Sequence, residues 1–273
     1  MFFYTLDLQI YCLITSSKPS RRVLPCMVNL PDGTIMIMNG AYHGVAGFGL
    51  ADDPNLTAVL YTPTAPLGSR FSILNSTIVP RMYHSEATLL VDGRVLVSGS
   101  DPQTNYDNGT VKYPEEFRVE VYVPPYLAQG RTRPSYSLPN HDWDYGGSYL
   151  ITHVHLHHGT TATMRVSLIA GASTFTFPVL QTSSLTYCHW LAATSSTHGN
   201  TMGARTIFPA FKCNGSSCTI IAPPNAGVSP PGWHMLFILD GPTPSVAKWV
   251  RIGGDPAELG NWPDLPGFTR PGI

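Results

Sequence analysis

The sequence predicts an all-β protein, and three observations lead to that prediction. The chain has 273 residues, of which 25 are glycine and 25 are proline, and both residue types interrupt helices and favour short strands joined by turns. No long stretch repeats apolar residues at helical spacing. Two segments about 60 residues apart also share one strand-turn-strand pattern.

These two similar segments span residues 29–40 and 90–99. In each, a strand is followed by an Asp-Gly pair, at 32–33 and at 92–93, and then by a second strand that ends at glycine. Asp-Gly is favoured in two-residue hairpin turns because both central positions require a positive φ. The spacing is near the ~50-residue period of a kelch-type propeller blade. We therefore predict that residues 19–126 form the last blades of a kelch-type β-propeller, although two unrelated hairpins would give the same pattern.

The predicted propeller is only partial. Residues 19–126 have room for two or three blades, whereas a closed ring needs about four to eight. An open arc of blades would expose a sheet edge and apolar faces to water. Alone, this segment is not expected to be a stable propeller.

The second half of the chain predicts an immunoglobulin-like (early-set) β-sandwich over residues 131–252. It follows a linker rich in proline and glycine, and its strand-like runs recur at the short spacing typical of a sandwich. These runs cover residues 148–155, 163–170, 206–211, 219–222, 233–239 and 246–252.

Three segments do not fit this plan. Residues 1–18 are left unassigned, and residues 253–273 are expected to form an irregular tail. Residues 171–192 are an atypical insertion that interrupts one strand pattern. The insertion is either an error in the gene structure or a genuine surface loop, which costs little loop entropy.

Composition and charge exclude two classes of partner. Charged residues make up 12% of the chain, against roughly 25% in an average soluble protein, and the net charge is -1. Without a basic run, nucleic acid is not expected as a partner. No run of about 18 apolar residues is present, so no membrane-spanning helix is expected.

The cysteines and glycosylation motifs point to the outside of the cell. Cys213 and Cys218 flank an Asn-Gly turn that could bring them together, as a disulfide or as two free thiols. Four Asn-X-Ser/Thr motifs and the low charge suit a secreted glycoprotein. Their asparagines are Asn55, Asn75, Asn108 and Asn214. Residues 1–15 nevertheless lack a basic start and carry Asp7, so they make no convincing signal peptide.

The strongest candidate for chemistry is the Tyr83-His84 pair, which precedes an apolar strand. A phenol and an imidazole side by side can both bind Cu(II), and a phenolate can also accept a proton. The alternative is a buried tyrosine with a hydrogen-bonded histidine. A second histidine, His198, lies in a polar loop at 197–205.

Other histidines are weaker candidates. His43 lies in a glycine-rich loop that could line a substrate pocket. His153, His155 and His157 alternate along one strand and could hold a metal, although an exposed histidine-rich strand is the simpler interpretation. We interpret His234 as structural because it lies within an apolar strand.

Together with two further motifs, these residues resemble the copper radical oxidases, the family of fungal glyoxal oxidase and galactose oxidase. The further motifs are Tyr122–Leu127 and Pro230–Phe237, and the resemblance runs from about residue 21 to residue 252. It marks the chain as the C-terminal part of such an enzyme.

The resemblance implies a copper site. Tyr83 would be the axial copper ligand and catalytic base, and His84 and His198 would be the histidine ligands. In the family fold, the loop that carries His198 projects from the sandwich into the centre of the propeller. The ligands would meet there despite their separation in sequence.

The resemblance also implies a reaction, the two-electron oxidation of small aldehydes of the glyoxal or methylglyoxal type, or of alcohols. O2 would be reduced to H2O2 by a secreted monomer. The family draws its second oxidising equivalent from a tyrosine crosslinked to a cysteine, and those residues are absent from this chain. We therefore expect the chain to be truncated at its N-terminus and inactive alone. The alternative is a non-catalytic fragment or a carbohydrate-binding module.

Overall fold

A computed structural model describes residues 19–104, 111–161, 163–170 and 204–254. Over these residues the structure is almost entirely β, so the predicted all-β class is confirmed. Helix is confined there to a 3-10 turn (Leu67–Ser69) and to α1 (Pro125–Ala128). No helix in this part of the chain is long and apolar enough to cross a membrane.

The first unit is a four-stranded antiparallel sheet, which we call blade A. Its strands, in sheet order, are β1 (Cys26–Asn29), β2 (Ile35–Met38), β5 (Thr57–Tyr61) and β6 (Phe71–Ser76). Four strands joined in sequence are the unit of a β-propeller. Between β2 and β5, the chain forms a separate hairpin of β3 (Ala41–Gly44) and β4 (Ala51–Pro54).

The second unit, blade B, is a three-stranded antiparallel sheet of β7 (Glu86–Leu89), β8 (Val95–Ser98) and β9 (Glu120–Tyr122). In blade A, Cys26 pairs with Met38, and in blade B, Glu86 pairs with Ser98. Each partner therefore lies 60 positions after its counterpart. The two repeated segments are thus the first hairpins of two consecutive blades.

The turn of these hairpins differs from the predicted two-residue turn. In blade A, the N–H of Gly33 donates to the carbonyl of Leu30 (3.0 Å), and the N–H of Leu30 donates to the carbonyl of Thr34 (2.8 Å). This is the pattern of a three-residue loop in which only the glycine needs a positive φ, 91° at Gly33. Asp32 instead accepts a hydrogen bond from the N–H of Thr34 (3.0 Å), which favours this turn. Blade B repeats all of these bonds 60 positions later.

The remaining strands form two facing sheets. One contains β10 (Ser135–Ser137), β12 (Ser148–His155), β16 (Ser217–Ile221) and β15 (Phe211–Asn214) in that order. The other contains β11 (Asp142–Trp143), β19 (Lys248–Ile252), β17 (Gly232–Asp240), β13 (Arg165–Ala170) and β14 (Arg205–Ile207), and β18 (Thr243–Pro244) pairs with β17. Buried side chains of both sheets, among them Trp143, Ile151 and Leu236, form the sandwich core.

One predicted run was wrong. Residues 206–211 were expected to form a single strand, but the chain leaves β14 at Ile207 and enters the opposite sheet as β15 at Phe211. Pro209 lies between them and has no N–H to continue a strand ladder, so the chain crosses between the sheets at this point.

The sandwich packs directly on the blades, and β17 makes this contact. Leu236 and Ile238 face the sandwich core, whereas Met235 and Phe237 pack against side chains of blade A and blade B. A strand that is buried on both faces has apolar residues at successive positions, which explains why residues 235–239 are all apolar. The linker is fixed as well, since the hydroxyl of the buried Tyr126 donates to the carbonyl of Gly93 (2.6 Å).

Candidate metal centre

Tyr83 and His84 occupy the two central positions of a β-turn that leads into β7. The N–H of Ser85 donates to the carbonyl of Met82 (3.3 Å), and the hydroxyl of Ser85 donates to the same oxygen (2.9 Å). His84 has a φ of 57°, in the left-handed region, where glycine or asparagine is usual at this turn position. Such a conformation costs of order 1 kcal/mol or more, so the surrounding contacts must hold it.

The turn brings the two aromatic rings together. The ring centroids of Tyr83 and His84 are 3.9 Å apart, and the ring planes are inclined by only 25°. Tyr83 is half-buried, and the side chain of His84 is 36% exposed. The phenol and the imidazole therefore lie side by side at the surface of blade B.

The end of β8 fixes this turn from the other side. The N–H of Asp101 donates to the carbonyl of Tyr83 (2.9 Å), and the hydroxyl of Ser100 accepts from the N–H of Met82 (2.9 Å). Gly99, with φ 71°, passes so close to the carbonyl oxygen of His84 that a Cβ atom would collide with it. Only glycine fits this approach.

A buried guanidinium holds the third strand against the same turn. Arg81 donates from Nε to Glu120 (2.9 Å) and from Nη2 to the carbonyl of Arg118 (2.9 Å), and its Nη1 donates to the carbonyl of Gly99. The side chain of Arg81 is 1% exposed, so these hydrogen bonds are shielded from water. The residues on both sides of the Tyr83–His84 pair are therefore anchored.

Two side chains that the sequence did not indicate contact the pair. Phe48, from the loop between β3 and β4, presents its ring edge-on to Tyr83 (5.3 Å between centroids) and to His84 (5.5 Å). The N–H of Gly49 donates to the carbonyl of Pro102 (2.7 Å) and ties this loop to the site. An oxygen of Asp101 lies 3.7 Å from Nδ1 of His84. Both contacts join residues that are far apart in sequence. The glycine-rich composition around Phe48 was the only sequence signal, and it concerned the loop that carries Phe48.

A cavity of about 540 Å³ opens next to Phe48 and Asp101, the two neighbours of the pair, and neither Tyr83 nor His84 is among the residues that line it. Its lining combines aromatic, amide, hydroxyl and carboxylate side chains. Besides Phe48 and Asp101, the lining includes Gln103, Thr104, Glu115 and Glu116. A volume in this range fits a small-molecule ligand.

His43, the weak candidate for substrate contact, is not part of this lining. Its side chain is 68% exposed, and its Nδ1 lies 3.8 Å from Asp53 across the β3–β4 hairpin. The hairpin contributes Phe48 to the site, whereas His43 faces solvent.

The structure describes two of the three predicted copper ligands, Tyr83 and His84. His198 lies outside the described residues, so its distance from the pair is not defined. Within residues 19–104, 111–161, 163–170 and 204–254, no group of three or more histidine, cysteine, aspartate or glutamate side chains could hold a metal. A phenol oxygen and an imidazole nitrogen nevertheless match the N,O ligands that Cu(II) prefers. Tyr83 and His84 thus fit two of the three predicted positions by their chemistry.

The other candidate residues lie in the β-sandwich, outside the blade that carries the Tyr83–His84 pair. His234 is buried, and burial lowers its pKa to about 4, so it stays neutral while it hydrogen-bonds to Ser229 (2.7 Å). His155 and His157 stack on an exposed surface with 4.6 Å between centroids. A disulfide joins Cys213 to Cys218 and ties β15 to β16.

One predicted glycosylation position is wrong for the folded chain. Asn55 is 2% exposed, and its amide nitrogen donates to Ser20 (2.8 Å) while its amide oxygen accepts from Arg22 (2.7 Å). A glycan on this nitrogen would break these contacts. Asn75 and Asn214 are exposed and stay predictions, and Asn108 lies outside the described residues.

The chain matches two family models. Residues 13–126 match the model described as glyoxal oxidase N-terminus, and residues 171–252 match the galactose oxidase-like early set domain. A protein of Arthroderma benhamiae that contains a WSC domain is 52% identical over 95% of this chain and 25% of its own length. An aldehyde oxidase of Arabidopsis thaliana is 34% identical over 87% of this chain and 37% of its own length. The chain thus spans less than half of these relatives.

A solved structure gives the same result for the fold. A copper-bound fungal alcohol oxidase of the AA5 family superposes with a TM-score of 0.66 at 25% identity, over 87% of this chain and 44% of the other. This likeness confirms the predicted propeller-plus-sandwich architecture. The kelch type of the blades stays a prediction.

Proposed function

Because the chain belongs to the copper radical oxidase family of glyoxal oxidase and galactose oxidase, we propose that it supplies part of a copper site for the oxidation of small aldehydes or alcohols outside the cell. The observation that carries this proposal is the turn that stacks Tyr83 on His84, next to side chains that line a cavity. The names of two relatives support it, since one is an aldehyde oxidase and another is an alcohol oxidase in complex with copper.

Three residues of this chain would hold the metal, namely Tyr83, His84 and His198. A copper ion bound there would supply a one-electron acceptor. The phenolate oxygen of Tyr83 is the group that would take the hydroxyl proton of a bound alcohol or aldehyde hydrate. The imidazole of His84, next to a carboxylate of Asp101, would present its other nitrogen to the metal.

The overall reaction balances with O2 as the oxidant. An alcohol RCH2OH and O2 give the aldehyde RCHO and H2O2, and an aldehyde hydrate RCH(OH)2 and O2 give the acid RCOOH and H2O2. Each oxidation removes two electrons and two protons from one carbon centre. Copper accepts one electron, so a second one-electron acceptor is needed, which the family resemblance assigns to a crosslinked tyrosine.

The cavity favours a small polar substrate without negative charge, because the carboxylates of Asp101, Glu115 and Glu116 line it together with neutral polar groups. The ring of Phe48 packs edge-on against both Tyr83 and His84 and lines the cavity. Gln103 and Thr104 offer amide and hydroxyl groups that can hydrogen-bond a carbonyl or diol. Small aldehydes of the glyoxal or methylglyoxal type meet this description.

Copper titration followed by electron paramagnetic resonance tests the proposal. We expect His84→Ala to weaken Cu(II) binding by at least about tenfold, since it removes a direct ligand. The chain offers a matched control, because Tyr42-His43 is a second Tyr-His pair that lies in strand β3. Tyr42→Phe and His43→Ala should leave Cu(II) affinity unchanged. Equal losses in both sets of variants would contradict the assignment.

A peroxide assay with methylglyoxal and with galactose then tests the reaction. Tyr83→Phe should retain copper but abolish any H2O2 release, since it removes the proton acceptor. Sustained release by the 273-residue chain would contradict the expectation that it is inactive alone, and would show that one of its own tyrosines provides the second oxidising equivalent. Copper binding without turnover is expected of this chain under both alternatives. Peroxide release by a chain extended upstream through a blade that bears a cysteine and a tyrosine would decide for the oxidase.

A further inference from the structure

Beneath the Tyr83–His84 turn, two blades meet in a small buried polar network. Cys26 and Asn39 come from blade A, and Ser85 comes from the turn itself. Their exposed fractions are 1%, 5% and 5%. The three side chains are joined by hydrogen bonds. The amide nitrogen of Asn39 lies 3.2 Å from Oγ of Ser85 and 3.5 Å from Sγ of Cys26.

The chemistry and distances of the donors and acceptors in this network indicate where each of their hydrogen-bonding protons lies. The amide nitrogen of Asn39 can only donate, so Oγ of Ser85 accepts from it. The single hydroxyl proton of Ser85 goes to the carbonyl of Met82, 2.9 Å away, because the alternative acceptor, Sγ of Cys26, lies farther off at 3.7 Å. The thiol of Cys26 donates to the carbonyl of Ser85 (3.2 Å). Met82 and Ser85 are the two ends of the turn, so the network closes the turn through side chains.

Blade A fixes Asn39 before it reaches the turn. Asn39 has a φ of 59°, a conformation that asparagine tolerates better than most residues. Its own carbonyl accepts from Nη1 of the buried Arg22 (2.5 Å). The amide of Asn39 therefore points at Ser85 from a rigid backbone.

We propose that Asn39 is a positioning residue for the Tyr83–His84 pair, because its amide directs the hydroxyl of Ser85 onto Met82 and thereby keeps His84 in its left-handed conformation. The preceding blade thus sets the geometry of the ligand turn. The meaning of this contact for copper rests on the proposed function. The contact itself does not, so the two can be tested separately.

The first test measures amide hydrogen exchange in the full chain without copper. Asn39→Gly removes the side chain with its amide and still accepts the left-handed backbone, which makes it the most direct variant. We expect exchange of the Ser85 and Asp101 amides to rise about tenfold, since each lies in the turn or bonds to it. The amide of Leu90, in the hairpin turn of blade B, should keep its protection.

A double-mutant cycle separates positioning from general destabilisation. Ser85→Ala should raise exchange as Asn39→Gly does, and adding Asn39→Gly to Ser85→Ala should change nothing further, because the amide has lost its partner. Ser85→Ala also carries the test if Asn39→Gly does not fold. Thr34→Val is the matched control, since it removes another side-chain hydrogen bond of blade A, to Asp32 at 2.6 Å, away from the turn. This variant should leave Ser85 and Asp101 unchanged.

The second test repeats the copper titration with Asn39→Gly. We expect the Cu(II) affinity to fall about tenfold and the hyperfine pattern of the resonance spectrum to change, while Thr34→Val matches the parent. Unchanged exchange at Ser85, an equal rise at Leu90, or multiplicative effects in the double variant would overturn the proposal. Changed exchange in a chain that binds no copper would uphold the positioning contact and refute the proposed function.

Discussion

Blade A and blade B share one backbone plan, yet only blade B carries the aromatic pair. Leu24 precedes the first strand of blade A with a φ of 56°, and His84 holds the equivalent place in blade B with a φ of 57°. The same offset of 60 positions relates Asn39, with a φ of 59°, to Gly99, with a φ of 71°. The two blades therefore share the left-handed position, and in blade B the contact of Asn39 with Ser85 adds to what holds it. The candidate site uses an existing strained turn and does not create a new one.

The blades also share a buried arginine. In each blade its guanidinium donates to the carbonyl just after the second strand and to a carbonyl at or just before the start of the third strand. These carbonyls belong to Asn39 and Thr57 for Arg22, and to Gly99 and Arg118 for Arg81. The side-chain partners differ, since Arg22 bonds to the amide of Asn55 and Arg81 to the carboxylate of Glu120. The backbone contacts are the repeated element, and the side-chain partners vary around them.

The two Tyr-His pairs show what the turn contributes. Tyr42 and His43 lie in strand β3, where successive side chains point to opposite faces. Tyr83 and His84 have the same chemistry, but the turn places their rings 3.9 Å apart. Residue identity alone therefore does not make a ligand pair, and the backbone conformation decides.

The largest expected effect tests whether the buried arginines are equivalent. Arg22→Met and Arg81→Met each leave buried carbonyls without a donor and should lower the free energy of unfolding by about 4 kcal/mol. Urea denaturation of both variants measures this. Arg94→Met is the control, because Arg94 is 47% exposed and pairs with Asp92 at the surface, so its loss should be small. A difference of more than about 2 kcal/mol between Arg22→Met and Arg81→Met would show that the blades do not share this element.

A somewhat smaller effect is expected where the blades differ, at Gly99. Gly99→Ala adds a collision with the carbonyl of His84 to the cost of a left-handed alanine, so we expect a loss of about 3 kcal/mol and weaker copper binding. Gly146→Ala has a similar φ of 69° with open space around the new Cβ, and should cost only about 1 kcal/mol. Thermal unfolding compares the two. Equal losses would mean that the close approach to His84 is not needed.

The smallest effect tests the shared left-handed position itself. Leu24→Gly and His84→Gly both relieve backbone strain but add flexibility to the unfolded chain, so each should raise stability by about 0.5 kcal/mol. Chemical denaturation measures the change, and copper titration separates the two sites. His84→Gly should lose copper, whereas Leu24→Gly should retain it. A clear loss of stability in either variant would show that side-chain packing outweighs the strain.

Local signals in the sequence explain the parts of the fold that were predicted. The Asp-Gly hairpins depend on residues within a few positions of one another, so their repetition revealed the blades. The predicted loop type was wrong, because the Asp-Gly pair occurs here in a three-residue loop that the hydrogen bond from Thr34 to Asp32 favours. The strand over 206–211 was wrong because periodicity could not show that Pro209 divides it.

Contacts between distant segments explain what was missed at the site. The Tyr83-His84 pair was found because its two residues are adjacent, and the structure places their rings together. Phe48 and Asp101 reach the pair through tertiary packing that no local pattern encodes. Asn55 looked like a glycosylation position because its motif is local, whereas its burial depends on Arg22, 33 residues earlier.

Strand β17 has a practical consequence for work on parts of this molecule. Met235 and Phe237 are buried in a cluster that contains blade residues such as Val28 and Met36. A fragment cut at the linker to isolate the sandwich would expose this apolar stripe to water, and such patches promote aggregation. A soluble sandwich fragment would therefore need polar substitutions at Met235 and Phe237, which leave its own interior around Leu236 and Ile238 intact.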